Sequence, residues 1–332
     1  MVKYSKEHIM ESMQAVLFNR YGNPEELHRG TLPMPEARAG EVLVRVDAVS
    51  VNGADLLLRS GKLGLITGRR FPKQLGIDFV GTLIATDPGA DLGGLSIGDQ
   101  VWGIVDEKGG PRSLAEFLSV PAIQIARAPN NLSSEEAVTL LAGGTTAYTG
   151  LVEKAGVQRG ERVLVRGAAG GVGSVAVQLA KMLGTHVTAL AGASSQEFVR
   201  GLGADAVYDY RVTPREELGM YDVIFDAHGS DLLAFRRLLA PGGRMVSIAF
   251  DKKAPIRSLV TIAASAAFGA RRIRYFLGKP ERRDFQRLTA QVERGEIRSI
   301  LDRVFPLARA ADAHAALETR GVQGKVVISI SE

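Results

Sequence analysis

The sequence predicts a two-domain α/β protein, a curled β-rich domain joined to a doubly wound parallel sheet. Three observations predict it. The chain has 332 residues, more than one hydrophobic core ordinarily holds, since cores stop growing at roughly 250–300 residues. From Met13 to about Ile125, β-branched and alternating runs stand between turn signals. From about Thr139, short apolar strands alternate with helical segments, the rhythm of a parallel sheet covered on both faces.

In the first part the strand-like runs are MQAVLFN, EVLVRVDAVSVN, FVGTLIATD and DQVWGIV, each rich in β-branched residues. Turns such as Arg20-Tyr-Gly-Asn-Pro and Pro88-Gly-Ala-Asp separate them, so an antiparallel domain with few helices is expected. In the second part, strands over RVLVRG (162–167), HVTALA (186–191), DAVYDY (205–210), YDVIFDA (221–227) and GRMVSIAF (243–250) alternate with GVGSVAVQLAKML, SSQEFVRGL and DLLAFRRLL. The apolar residues of the latter three recur at helical spacing. After Pro280 come a helix (282–294), a strand (302–306), a helix (308–319) and a closing strand (325–330). The closing strand has the β character of the first part and is expected to pair there. The domains are therefore read as 13–138 with 281–332, and 139–280, with residues 1–12 a flexible extension.

Hydrophobic content of 45% and charged content of 23% are ordinary for a globular protein. Cysteine is absent, which excludes disulfides, thiolate metal sites and a cysteine nucleophile and fits a reducing compartment. The start, MVKYSKEHIMES, is polar and mixed in charge, unlike a signal peptide. The apolar run 258–270 is too short to span a bilayer. A soluble, cytoplasmic protein with no membrane partner is expected. Much of the net charge of +5 sits in Arg271, Arg272, Arg274, Lys279, Arg282, Arg283 and Arg287. No nucleic-acid module or aromatic interleaving accompanies them, so a solvated face is expected and no nucleic-acid partner.

The segment with most chemical content is VLVRGAAGGVGSVAVQLAKMLG. A buried strand runs into Gly167-Ala-Ala-Gly-Gly-Val-Gly173 and a helix follows. Ala168 and Gly170 are small enough for a sharp turn and close backbone approach to a pyrophosphate, and Gly173 lets the helix pack tightly on the strand. Gly171 and Val172 lie within the same turn and share its assignment. The helix start offers unpaired N–H groups and a positive dipole end to phosphates. The strand before and the helix after make this a specific signal for a dinucleotide on a Rossmann sheet. A site for NAD carries Asp or Glu about 20 residues on, to hold the ribose hydroxyls. Here Leu190 to Ser195 contains no acid, which removes repulsion toward a 2′-phosphate. Ser194 and Ser195 are candidate donors to that phosphate, with Arg200 or a more distant arginine the candidate charge. NADPH (NADP+) is the expected cofactor.

The stretches AVSVNGADLLLRSG, LGIDFVGTL, GDQVWG, GGTTAYTGL, GAAGGVG, LGADAVYDY, YDVIFDAHG, APGGRMVSI and QGKVVISI together resemble the medium-chain dehydrogenase/reductase superfamily, in its zinc-independent quinone oxidoreductase-like branch. The resemblance runs from Met13 to Ile330. It implies a GroES-like substrate domain, a Rossmann domain, and an active site in the cleft between them. It also implies a homodimer joined at the Rossmann sheet edges, with RIRYFLG (272–278) the candidate edge strand. Zinc alcohol dehydrogenases of the superfamily hold their metal with Cys, His and Cys. Motif matching places Asn52, Ile77 and Ala142 there, none a usual zinc ligand.

The resemblance further implies that Asn52 faces the cleft, its amide a donor to cofactor or substrate oxygen. It sets Thr146 near the nicotinamide, Tyr210 beside the adenine ribose phosphate, and Arg320 near the 2′-phosphate. Plainer alternatives are that Asn52 shapes a turn, that Thr146 caps a helix and that Arg320 is a solvated surface residue. Asp55 is read as orienting local backbone, and His228 as a loop residue facing solvent. Two departures stand out. Leu56, Leu57 and Leu58 occupy a neighbourhood where many relatives carry a tyrosine, and Ser195 matches a lysine that holds the 2′-phosphate in some of them. The leucines suggest an apolar pocket.

Without a metal, the chemistry left is hydride transfer with charge developing on an oxygen, for which a nicotinamide and a few donors suffice. The expected function is zinc-independent, NADPH-dependent reduction of a small conjugated carbonyl: a quinone, an α,β-unsaturated ketone or an enoyl thioester. Two further readings are a reductase dedicated to one natural-product intermediate, and a non-catalytic NADPH-binding sensor or scaffold, to which the leucines after Asn52 lend weight.

Overall fold

The structure, a computed structural model, describes residues 12–105, 110, 112–251, 260–265 and 271–330. The extension read over 1–12 lies outside the described residues except for Ser12, which belongs to the first strand. The apolar run 258–270 also lies outside them except for 260–265.

Strand β1 (Ser12–Phe18) forms an antiparallel hairpin with β2 (His28–Pro33). Next comes β3 (Glu41–Ser50), then helices α1 (Gly53–Arg59) and α2 (Gly64–Thr67), and β4 (Lys73–Gln74), which pairs with β1. Strands β5 (Asp78–Thr86), β6 (Gln100–Ile104), β7 (Phe117–Pro121) and β8 (Ile125–Arg127) join β3 in a second, antiparallel sheet. Helix α3 (Ser134–Tyr148) then leads to the parallel sheet. Its strands are β9 (Arg162–Arg166), β10 (His186–Ala191), β11 (Ala206–Asp209), β12 (Tyr221–Asp226), β13 (Leu239–Ser247) and β14 (Ile273–Tyr275). Helices α4 (Gly173–Met182), α5 (Gln196–Gly201) and α6 (Leu232–Arg236) lie between them. Helix α7 (Arg282–Glu293), β15 (Leu301–Pro306), α8 (Ala310–Glu318) and β16 (Lys325–Ser329) close the chain.

The parallel sheet runs β11-β10-β9-β12-β13-β14. The order reverses beside β9, and ligands of open α/β sheets bind at the carboxyl ends of the strands at such a point. The closing strand β16 pairs antiparallel with β3, Val327 opposite Ser50, so the chain's last segment completes the first domain's sheet.

Helix α3 is the wall shared by both domains. It opens on a capping box, Glu136 N donating to Ser133 Oγ at 3.2 Å and Ser133 N to Glu136 Oε2 at 3.0 Å. It is buried nearly all round from Ala137 to Thr145. Two glycines set its distance from its neighbours. A Cβ on Gly144 would meet Leu288 Cδ2 at 2.8 Å, and one on Gly143 would crowd the carbonyl oxygen of Gly171. One hydrophobic cluster gathers α3, α4 and the faces of β9 and β12, and a second fills the first domain around Val44, Phe79 and Leu118.

Two segments depart from the expected bounds. The helix expected over DLLAFRRLL ends at Arg236, and β13 already begins at Leu239, opposite Tyr221. The register then shifts, so that Val223 faces Arg244. Pro241 and its two following glycines cannot sustain a helix and fit a bulge. The candidate edge strand is shorter than RIRYFLG, covering Ile273–Tyr275 only.

Candidate functional site

The glycine turn divides its tasks among particular residues. Gly167, directly after β9, takes the left-handed conformation, at φ +72°; Ala168, expected to ease the turn, is fully buried. A Cβ on Gly173 would overlap the Gly167 carbonyl, so only glycine lets α4 start this close to β9. Gly170 is the open position: an added Cβ would meet only Gly167 O, at 3.6 Å. That open side lies beside the half-buried Val172 that precedes α4, and the start of a helix presents unpaired N–H groups and a positive dipole end. Gly171 instead makes room for protein. A Cβ there would stand 2.7 Å from Cδ and Cε of Lys325.

Lys325 begins β16 and joins the turn to the first domain. Just before it, Gly324 N donates to Ala169 O at 2.8 Å. The buried Lys325 ammonium donates to Ser50 Oγ at 2.9 Å and to Asn52 Oδ1. Ser50 in turn donates to both oxygens of Asp78, from N at 3.0 Å and from Oγ at 2.6 Å. Asn52 Nδ2 donates to Ser50 O at 3.0 Å and lies 3.4 Å from Asp78 Oδ2. Asp55 takes Asn52 N at 2.8 Å and Gly76 N at 3.0 Å, closing a capping box at the start of α1. All five side chains are less than one-tenth exposed.

Burial pushes the Asp55 carboxyl up to about 6, with the Asn52 and Gly76 amides and Lys325 opposing and Asp78 adding to the push. Burial also pulls the Lys325 ammonium below its ordinary value, against the attraction of Asp78 and Asp55. Asn52 thus sits at the domain junction with both ends of its amide committed to protein partners. Asp55 orients local backbone.

The remaining candidates fall into two groups. Thr146 lies half-buried in the last turn of α3, not at a helix start, so it is no N-cap. Leu56 and Leu58 pack into the first domain's core, which leaves Leu57, half-buried, as the leucine of that trio nearest the surface. On the other side of the turn, Ser194 and Tyr210 are exposed and Ser195 is buried. Gln323 Nε2 donates to Ser194 O and Ser195 Oγ, each at 3.4 Å. Arg320 is exposed at the start of the same loop as Gln323. Arg200 turns along its own helix toward Gln196 Oε1, at 3.3 Å.

A second buried ionic group was not foreseen. Arg166, the last residue of β9, pairs with Asp226, the last of β12, at 2.8 Å, and its guanidinium stacks 3.6 Å from the centre of the Phe235 ring. Asp226 also accepts His228 N, Gly229 N and Ser247 Oγ, which fixes the loop after β12. The signal for Lys325, Asp78, Arg166 and Asp226 is faint in the sequence, a charged residue at the end of a largely apolar strand.

Family models match both parts of the chain. One described as the alcohol dehydrogenase GroES-like domain matches residues 38–130, and one described as zinc-binding dehydrogenase matches residues 202–328. A 2-methylene-furan-3-one reductase of Solanum lycopersicum is 32% identical over 332 residues, covering 96% of this chain and 80% of that protein. The chain belongs to the medium-chain dehydrogenase/reductase superfamily, in its quinone oxidoreductase-like branch. An NADPH-dependent alkenal/one oxidoreductase of Arabidopsis thaliana chloroplasts is likewise 32% identical, with 96% and 80% covered. The solved structure of the quinone oxidoreductase from Coxiella burnetii superposes with a TM-score of 0.88 at 29% identity, over 96% of this chain and all of that one.

The zinc in the family description does not fit the residues present. At the positions that the resemblance matches to the metal ligands of zinc enzymes stand Asn52, whose oxygen takes the Lys325 ammonium, Ile77, half-buried against the core, and the buried Ala142. Among the described residues no group of three or more His, Asp or Glu is arranged to hold a metal ion.

Proposed function

We propose that this protein is an NADPH-dependent reductase of conjugated carbonyl compounds, quinones or α,β-unsaturated ketones and enoyl thioesters, that works without zinc. The observation that carries the reading is the exchange at the junction of the domains. Where a zinc enzyme needs three metal donors, this chain has Asn52, Ile77 and Ala142, and a buried ammonium ties Asn52 to the phosphate turn. The resemblance to quinone, alkenal and furanone reductases supports it.

In this reading Ala168, Gly170, Gly171, Val172 and Gly173 form the pyrophosphate cradle, with Gly170 leaving the space and α4 supplying N–H groups. When bound, the reduced nicotinamide supplies hydride to an electron-poor carbon of the substrate. Thr146, with no committed side-chain partner among the described residues, offers its hydroxyl to the oxygen on which charge develops. Asn52 fixes the floor of the cleft through Lys325, Ser50 and Asp78. Tyr210, Ser194, Ser195 and Arg320 surround the adenosine end. We further propose a cytoplasmic homodimer joined along β14, the last strand of the parallel sheet; no helix among the described residues is long and apolar enough to cross a membrane.

Anaerobic turnover of NADPH against a panel of quinones, enones and enoyl thioesters, before and after treatment with a chelator, tests the function. Oxidation that survives chelation is expected. Cofactor binding without oxidation by any of them would sink the catalytic reading in favour of a sensor or scaffold. Light scattering on the purified protein tests the dimer.

A further inference from the structure

We infer that Arg211 grips the 2′-phosphate of the cofactor's adenosine ribose and is the main source of selectivity for NADPH over NADH, an inference that rests on the NADPH reading above. In Rossmann sheets the residue about 20 positions past the glycine turn, at the end of the second strand, reads the ribose: a carboxylate there holds the hydroxyls, whereas a nearby arginine accommodates a 2′-phosphate. In this chain that position is Gly192, the residue after β10. The carboxylate is absent, and a guanidinium claims the space its side chain would fill. A Cβ on Gly192 would lie 3.2 Å from Arg211 Nη2, and 3.7 Å from both Arg211 Cζ and Tyr210 Cε1. A positive group therefore stands where an NAD site keeps a negative one.

The placement is fixed by the backbone. Tyr210 N donates to Ala191 O at 3.3 Å, which ties the exit of β11 to the exit of β10. Arg211 N donates to Asp209 Oδ1 at 3.0 Å, so that carboxylate is buried and engaged on the protein side. Arg211 Nε reaches the Tyr210 hydroxyl at 3.4 Å, and its Cζ lies 5.4 Å from the ring centre. Among the described residues Arg211 makes no ion pair with a carboxylate, so Nη1 and Nη2 are left for an anion. A guanidinium fork matches a phosphate in a bidentate manner that a lone ammonium cannot. Arg200 faces along α5 and Ser195 is buried against Gln323, so neither competes for the role.

The test is binding of NADPH, NADH, adenosine 2′,5′-bisphosphate and 5′-AMP to the wild-type protein, Arg211→Ala and Arg211→Lys. Arg211 is exposed, and an unchanged melting temperature checks that the variants fold. Arg211→Ala is expected to weaken NADPH and the bisphosphate about 10- to 100-fold and to leave NADH and 5′-AMP within about twofold, with Arg211→Lys between. If the wild type prefers NADPH and the preference survives in Arg211→Ala, the assignment of Arg211 is overturned while the cofactor reading stands. Equal weakening of NADPH and NADH also overturns it. A wild type that binds NADPH and NADH equally overturns the cofactor reading itself.

Discussion

Replacing Lys325 by methionine tests the buried network most directly. Methionine keeps the length and the apolar stem that fills the space beside Gly171. It removes the ammonium, two hydrogen bonds to Ser50 and Asn52, and the cation opposite Asp55 and Asp78. Breaking a buried charge cluster by deleting one partner costs about 3–5 kcal/mol, because the opposite charges remain buried without compensation. At roughly 2 °C per kcal/mol for a chain of this size, the melting temperature falls by about 6–10 °C.

The loss also has a pH signature. The folded Asp55 carboxyl sits at about 6, well above the ordinary carboxylate range. Its protonated form therefore favours the fold at low pH, and that contribution fades as pH rises through about 6. Without Lys325 the carboxyl moves higher still, so the penalty on ionising Asp55 grows. Lys325→Met is expected to be most destabilised relative to wild type at pH 8 and least at pH 5, as read by thermal melts across that range. A deficit that is flat with pH, or larger at pH 5, would refute the placement of the ammonium against Asp55 and Asp78.

Other variants discriminate further. Gly173→Ala drives a Cβ into the Gly167 carbonyl and should cost about 1–3 kcal/mol of stability, with cofactor titration showing at least a tenfold loss of affinity. Arg166→Met leaves Asp226 buried without its cation and should cost about 3–5 kcal/mol by denaturant melts, whereas Glu26→Gln, which breaks the exposed pair with Arg20, should melt with the wild type. Burial, and then Arg59, holds the His314 imidazole down at about 3. The folded protein thus keeps it neutral, and stability is lost as pH falls below about 6.5, by about 1.4 kcal/mol per unit. His314→Leu should remove that acid sensitivity, and equal acid slopes in the two proteins would contradict it.

Much of the fold was legible because each level of the sequence pointed the same way. The strand, glycine turn and helix around Gly167–Gly173 could be placed from spacing alone, and the β-branched residues of KVVISI marked the last segment as a strand, while its return to the first domain, where it pairs with β3, was pointed to by the family resemblance. Thr146 was harder. GGTTAY looks like a helix start, because glycine and threonine favour caps. The helix in fact has its N-cap thirteen residues earlier, at Ser133, and tolerates Gly143 and Gly144 because close packing on Gly171 and Leu288 requires them. The buried ions were not legible. Lys325 at the head of an apolar strand resembles a solvated strand end, and only the tertiary return of the chain carries it beneath Gly171 to Ser50 and Asn52. Arg211 was hidden in the same way, since its partner position, Gly192, signals by what it lacks.

The two buried ionic groups have a common location that bears on why the chain keeps them. Lys325, Asp55 and Asp78 lie at strand ends or the start of α1, and Arg166 and Asp226 at the carboxyl ends of β9 and β12; the interiors of the sheets hold apolar side chains. Apolar residues of similar volume would serve stability as well or better, because desolvation offsets most of what a buried pair gains. What such groups supply is direction: each ammonium, guanidinium or carboxylate accepts only a narrow set of partner positions. Around this cleft they fix the loop after β12, the entry of α1 and the junction of the glycine turn with β16. Hydride transfer falls off steeply when donor and acceptor are misplaced by an ångström. In the proposed reading, where one domain holds a dinucleotide and the other its substrate, the chain gains more from fixed strand ends than from added stability.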